Sequence, residues 1–269
     1  MDARFHPAMA AINAGDLEKF RALIAEDPSL ATSRSTCSHP TLLQCVVLDG
    51  KDKPHNLEMA QILVDAGAEL NGPFAATASV DNRACAELLL HHGAAIDGTG
   101  GWSPIEEALY WNSRNVLALL LERGAKVQNL RTAAGLGRTD LIESYFNADG
   151  TLKPEAGKID WPFGDLETSA WPQDQQGIVN NAFVFACMHG HIDAARLLLE
   201  KGAEINAIPG GFDYAGTGLH YAALNGHRAM VEFLLAHGAD RNIRDTKVGS
   251  TAAGWAEHGG HKELLDLLR

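Results

Sequence analysis

The chain has 269 residues, a formal net charge of −12 at pH 7 and 46% hydrophobic residues, enough apolar material for a sizeable core. The acidic balance argues against a phosphate backbone as partner, because nucleic-acid affinity depends on cationic side chains displacing counterions. No stretch approaches the roughly 18 consecutive apolar residues a membrane helix needs, and Asp2, Arg4, Asp16, Glu18 and Lys19 interrupt what a secretory leader would keep apolar. Four cysteines, at 37, 45, 85 and 187, form no Cys-x-x-Cys pair, and a chain of this length folds without disulfides. Free thiols in a reducing cytoplasm are the expectation.

In chain order, the predicted elements repeat. LVDAGAELN (63–71), LLHHGAAID (89–97), LLERGAKVQ (120–128), LLEKGAEIN (198–206) and LLAHGADRN (234–242) each read as the end of a helix. In every one a leucine-lined face runs into a Gly that closes the helix, with Ala at the turn. Upstream of these endings lie short first helices, clearest in TGLHYAALNGH (217–227), then in NAFVFACMHGH (181–191) and SPIEEALYWNS (103–113). Thr217 suits a helix cap, and Gly226 the bend into the second helix. Equivalent glycines recur 36 residues apart at 202 and 238, and 34 apart at 226 and 260.

The segment TGLHYAALNGHRAMVEFLLAHGADRN resembles the ankyrin-repeat family, departing from its Thr-Pro-Leu-His opening by Gly218 in place of Pro. The resemblance implies an all-α solenoid of about eight helix-turn-helix units with finger loops, one domain over 1–269. First helices are expected near residues 6, 41, 73, 103, 129, 181, 217 and 251. The units containing TLLQCVVLDG, PFAATASVDN and NLRTAAGLGR are degenerate, but helices this short persist only when stacked on neighbours, which favours including them.

Between the fifth and sixth units the pattern breaks at 149–178, DGTLKPEAGKIDWPFGDLETSAWPQDQQGI. This insertion is acidic yet carries Trp161, Phe163 and Trp171, so its rings are expected to pack, either on the solenoid or on a partner. A second irregularity, AIPGGFDYAGTG (207–218), lengthens a finger and presents Phe212, Asp213 and Tyr214. One of those rings turning inward is an equal alternative.

The resemblance places one pair of residues per unit on the inner surface, among them Ser79 and Val80, Tyr110 and Trp111, Met188 and His189, Leu224 and Asn225. The expected binding residues are therefore Tyr110, Trp111, Trp161, Trp171, Met188, His189, Phe212, Asp213, Tyr214 and Asn225. Packing within the chain is the competing reading for them. Of the twelve histidines, His220 is the family's structural histidine, and His191, His227 and His261 are expected to link successive units. His189 with His191 and His91 with His92 lack Cys or carboxylate partners at zinc spacing, so no metal or other cofactor is expected.

No nucleophile elbow, phosphate loop or dinucleotide motif is present in the sequence. The expected function is a binding or scaffold module that takes a protein or peptide, with a basic patch as the favoured complement to an acidic surface. The alternative is an enzyme or small-molecule site in a groove roofed by the insertion, with His189, Asp213, Tyr214, Asp160 or Asp174, and His258 as acid–base candidates. The sequence assigns neither a particular partner nor an oligomeric state.

Overall fold

The structure, a computed structural model, describes residues 3–36, 39–99, 103–157, 174–212 and 215–269. The chain divides into two compact units, Met1–Lys126 and Val127–Arg269. In the first, helices α1 (His6–Ala14), α2 (Leu17–Glu26), α3 (Ser29–Thr32), α4 (Leu42–Leu48) and α5 (Asn56–Asp65) lead into α6 (Asn71–Ser79), α7 (Arg83–His91), α8 (Pro104–Tyr110) and α9 (Arg114–Glu122). The second holds α10 (Leu130–Gly135), α11 (Thr139–Ser144), α12 (Gln175–Met188), α13 (Ile192–Glu200), α14 (Gly218–Leu224), α15 (Arg228–Ala236), α16 (Ala252–His258) and α17 (Leu265–Leu268). Extended structure among the described residues is confined to the isolated bridges Phe146 to Leu152 and Arg244 to Thr251.

All eight expected first helices form, including the three from degenerate segments: α4, α6 and α10. Local chemistry supplies their starts. At α4, the Gln44 N–H donates to Thr41 Oγ1 at 3.2 Å while the Thr41 N–H returns to Gln44 Oε1 at 3.3 Å, a reciprocal cap. The sixth unit differs from expectation in length. Its first helix, α12, begins at Gln175 rather than near 181, because Asp174 accepts the Gly177 N–H at 2.8 Å and so starts the helix inside the insertion.

Helices of about seven residues are unstable alone, so the stack depends on links between units. Two ladders provide them. In one, the residue heading a second helix donates, in four of the repeats, to a carbonyl near the end of the first helix of the repeat before. Asn82 Nδ2 reaches the Val47 carbonyl at 3.4 Å and Ser113 Oγ the Ala78 carbonyl. In the second unit His191 reaches the Gly135 carbonyl and His227 Nε2 that of Met188 at 3.0 Å. This fulfils the linking role expected of His191 and His227. Each ring lies against the positive-φ glycine of the preceding turn: a Cβ on Gly137 would stand 2.7 Å from His191, and one on Gly190 3.0 Å from His227. Glycine is thus required at both positions twice over, by backbone and by neighbour.

The other ladder uses the Asn or Asp that ends the repeated motif. Asn71 Oδ1 accepts the Ala95 N–H at 2.8 Å, Asp97 Oδ1 the Lys126 N–H at 2.8 Å, and Asn206 Oδ1 the Asp240 N–H at 2.9 Å. Asp81 adds a variant of its own. It occupies the left-handed position (φ 53°) that glycine fills elsewhere, and its carboxylate accepts the N–H groups of Asn115 and Val116, both at 2.9 Å, capping α9.

His220 closes a cap of its own helix and bridges to the next. The Thr217 N–H donates to Nδ1 at 3.2 Å, which leaves the proton on Nε2 to donate to the Ser250 carbonyl at 3.2 Å. Burial lowers the pKa of His220, against the pull of that carbonyl, and lowers that of His191 in the same way. In the last finger, Asp245 accepts the N–H groups of Lys247 (2.9 Å), Val248 (2.7 Å) and Ser250 (2.9 Å) and the Trp255 indole N–H at 3.0 Å. Burial opposes its ionisation, but these donors outweigh burial and hold the carboxyl down to about 2.

Candidate functional site

The expected site residues divide between the units. In the first, Tyr110 ends α8 and Trp111 follows as its cap, their rings edge to face at 5.2 Å. Trp111 is 46% exposed, and its indole Nε1 donates to Glu107 Oε1 at 2.8 Å. Ser79, at the end of α6, donates its hydroxyl to the same oxygen. Glu107 itself is only 3% exposed, and among the described residues its other oxygen, Oε2, has no hydrogen-bond partner. Burial raises this carboxyl to about 7, with the charge of Glu106 adding to the rise and the Ser79 and Trp111 bonds opposing it.

In the second unit, Met188 is buried at the end of α12, and the next residue, His189, is half-buried with its ring stacked near that of His191, centroids 6.3 Å apart. Asn225 is also half-buried and donates Nδ2 to the Tyr221 carbonyl at 3.0 Å. Phe212 has turned inward, the alternative the sequence left open: it is 3% exposed and lies between Phe185 (5.4 Å) and Tyr221 (5.0 Å). Tyr221 continues the run to Trp255 at 5.0 Å, and the Arg131 guanidinium sits over Phe185 at 5.5 Å. This aromatic row pins the long finger onto the helices. Met188 and Phe212, as placed, offer a partner little surface. Trp161, Trp171, Asp213 and Tyr214 lie outside the described residues, as does Asp160.

Sequence reading missed Glu107. The signal was present: it stands four residues after Ser103, where the units opening at Thr217 and Thr251 carry Tyr221 and Trp255, so a carboxylate occupies a position that those two units give to an aromatic ring. Of the acid–base candidates, Asp174 is engaged in capping α12 and His258 is exposed at the end of α16. Among the described residues, no three His, Cys, Asp or Glu side chains gather as a metal site. Cys45, Cys85 and Cys187 are buried, and burial raises the thiol of Cys85 to about 11 and that of Cys187 further. Among the described residues no helix is long and apolar enough to cross a membrane.

Paired short helices joined by glycine turns, and tied unit to unit by side chains donated to carbonyls, define an all-α repeat solenoid. A family model of ankyrin repeats, in three copies, matches residues 166–245 and 212–269. Residues 166–269 of the chain are thus ankyrin repeats. Among curated proteins the chain is similar to the probable E3 ubiquitin-protein ligase XBOS33 of Oryza sativa, 37% identical over 93 residues, 34% of this chain and 17% of that protein. It is also similar to the ankyrin repeat and LEM domain-containing protein 1 homolog of Caenorhabditis elegans, 50% identical over 62 residues, 23% of this chain and 8% of that one. The chain thus spans less than a fifth of the length of either relative. Among solved structures, the human ASB11 ankyrin repeat domain aligns over 98% of this chain and 97% of its own, at 20% identity and a TM-score of 0.45. Ankyrin repeats are generally protein–protein interaction modules.

Proposed function

We propose that this chain is a binding module for a protein or peptide, engaged through the inner ends of the first helices and the finger loops. Trp111 serves the first unit, and His189 and Asn225 the second. The 149–178 insertion adds selectivity. The observation that carries this reading is the exposure of Trp111. Among the described residues the exposed large apolar side chains are Leu57, Trp111, Leu121 and Val248, and Trp111 is the aromatic one. It also falls on the row that the repeat assigns to contact. A half-exposed indole held in one orientation by its own N–H bond to Glu107 loses little entropy on binding, which is why Trp dominates interface energetics. A net charge of −12 favours a partner with a basic surface.

The test is capture of a partner by the full chain, followed by titration of that partner against Trp111→Ala. A fall in affinity of at least about fivefold is expected, the scale of a modest hot spot, with far-UV helicity unchanged. Unchanged affinity would remove Trp111 from the contact surface, and with it the main support for this reading.

A further inference from the structure

Bonded to the N–H edge of the half-exposed Trp111 indole is a carboxyl with one oxygen engaged and one without a partner among the described residues, and we infer that Glu107 and Trp111 together form a receptor for a single lysine side chain of the bound protein. The inference rests on the binding-module reading and specifies the chemistry of one of its contacts.

Geometry selects the ligand class. Glu107 Oε1 already accepts from the Trp111 indole N–H at 2.8 Å and from the Ser79 hydroxyl, so both of those donors are satisfied and neither calls for an anion or a further acceptor. Oε2 is buried with no donor among the described residues, and once the carboxyl is ionised only a donor can complete it. A cationic donor does so best, since the bond then also neutralises a charge held away from water. With one oxygen free, the two-pronged fit of a guanidinium is unavailable, while an ammonium on a slender four-carbon stem needs only one acceptor. Beside the carboxyl, bonded to it through the N–H edge, stands the half-exposed Trp111 ring, and the face of such a ring attracts a cation and covers an alkyl stem. Trp111 is anchored here through its N–H bond to Glu107, with Tyr110 edge-on at 5.2 Å, and a lysine ammonium reaches the buried Oε2 only by displacing that indole.

Where Glu107 sits, the units opening at Thr217 and Thr251 carry Tyr221 and Trp255, and those rings pack into the aromatic row of the second unit. A carboxylate at the same position in the first unit gives the fold no such packing and leaves an oxygen unsatisfied. The exchange weakens the stack and gains a charge-selective contact.

The test uses the full chain at about pH 8, where the carboxyl is ionised, and follows the indole N–H resonance of Trp111 while N-acetyl-lysine methylamide is added. The norleucine and arginine analogues serve as controls, and the resonance is assigned from Trp111→Phe. The expected result is a saturable shift with the lysine probe, at least about tenfold weaker with norleucine and in Glu107→Gln, which keeps the shape and removes the charge. A response of equal strength to norleucine, or an undiminished one in folded Glu107→Gln, overturns the proposal. So does the absence of any shift with lysine. Stronger binding of the arginine probe than of lysine overturns the choice of cation. The norleucine comparison is made on the unaltered protein and holds even if the variant fails to fold. Partner capture that depends on Trp111 while the lysine probe stays silent refutes the receptor and leaves the binding module standing. A lysine response without Trp111-dependent capture does the reverse.

Discussion

Glu107 departs most from the repeat, and its energetics are separable from any ligand. Its carboxyl titrates near 7 in the fold against an ordinary value of 4.5. Between those limits the folded chain keeps a proton that the unfolded chain releases. Stability is therefore greatest below the lower value, erodes as pH rises through about 7, and levels off beyond it. At about 1.4 kcal/mol per unit, the erosion amounts to about 3 kcal/mol. Glu107→Gln removes the titration while retaining an acceptor for Ser79 and Trp111. Chemical denaturation should find the variant more stable than the parent at about pH 8 by up to that amount, and close to it at about pH 5. Parallel pH profiles for the two proteins would mean that the carboxyl ionises in the fold at no cost. His191, His220 and Asp245 act in the opposite sense, since their lowered pKa values withdraw stability as pH falls, so the contribution of Glu107 is best read as a difference between variant and parent.

At the level of elements, the departure from the family's Thr-Pro-Leu-His opening has a local cause. Gly218 begins α14 directly against α12, and a Cβ there would stand 2.8 Å from Cys187 Sγ and 3.3 Å from the Phe183 ring. The larger thiol on α12 is accommodated by the missing side chain on α14. Gly218→Ala should cost about 1–3 kcal/mol by overpacking, and Cys187→Ala introduced beside it should recover a good part of that cost, a coupling measurable in a double-mutant cycle. Additive effects would show that the two helices adjust independently. Gly218 stood out in the sequence as an exception, but Cys187 as its cause did not, because the pair is joined by packing and not by any spacing. The same limit governs the rest. Helix pairs, glycine turns and the linking histidines were legible, since each follows from a motif recurring at a fixed interval. The early start of α12 depended on a single cap at Asp174 inside an irregular segment, and the inward turn of Phe212 on neighbours brought together only by stacking. Glu107 became conspicuous through burial, which a charged residue in sequence does not announce.

At the largest scale, within each compact unit the links run between adjacent repeats, and this sets how damage should spread. Leu198 is fully buried on α13, which packs on α11, α12 and α15. Truncation to Ala removes a branched side chain from the middle of that stack and leaves a cavity worth about 2–5 kcal/mol. In a globular core such a loss lowers protection throughout the cooperative unit. In a repeat stack, each helix pair is held by its neighbours alone, through contacts such as His227 to the Met188 carbonyl and Asn206 to the Asp240 N–H. Hydrogen exchange on Leu198→Ala should therefore show the largest loss of protection in α12 and α13, a smaller one in α14 and α15, and the least in α16 and α17. A uniform loss across these helices would mean that the second unit opens as one body despite its repeated construction. A total cost below about 0.5 kcal/mol, the size of an ordinary surface effect, would contradict the burial of Leu198 itself and turn the leucine face of the helix the wrong way round.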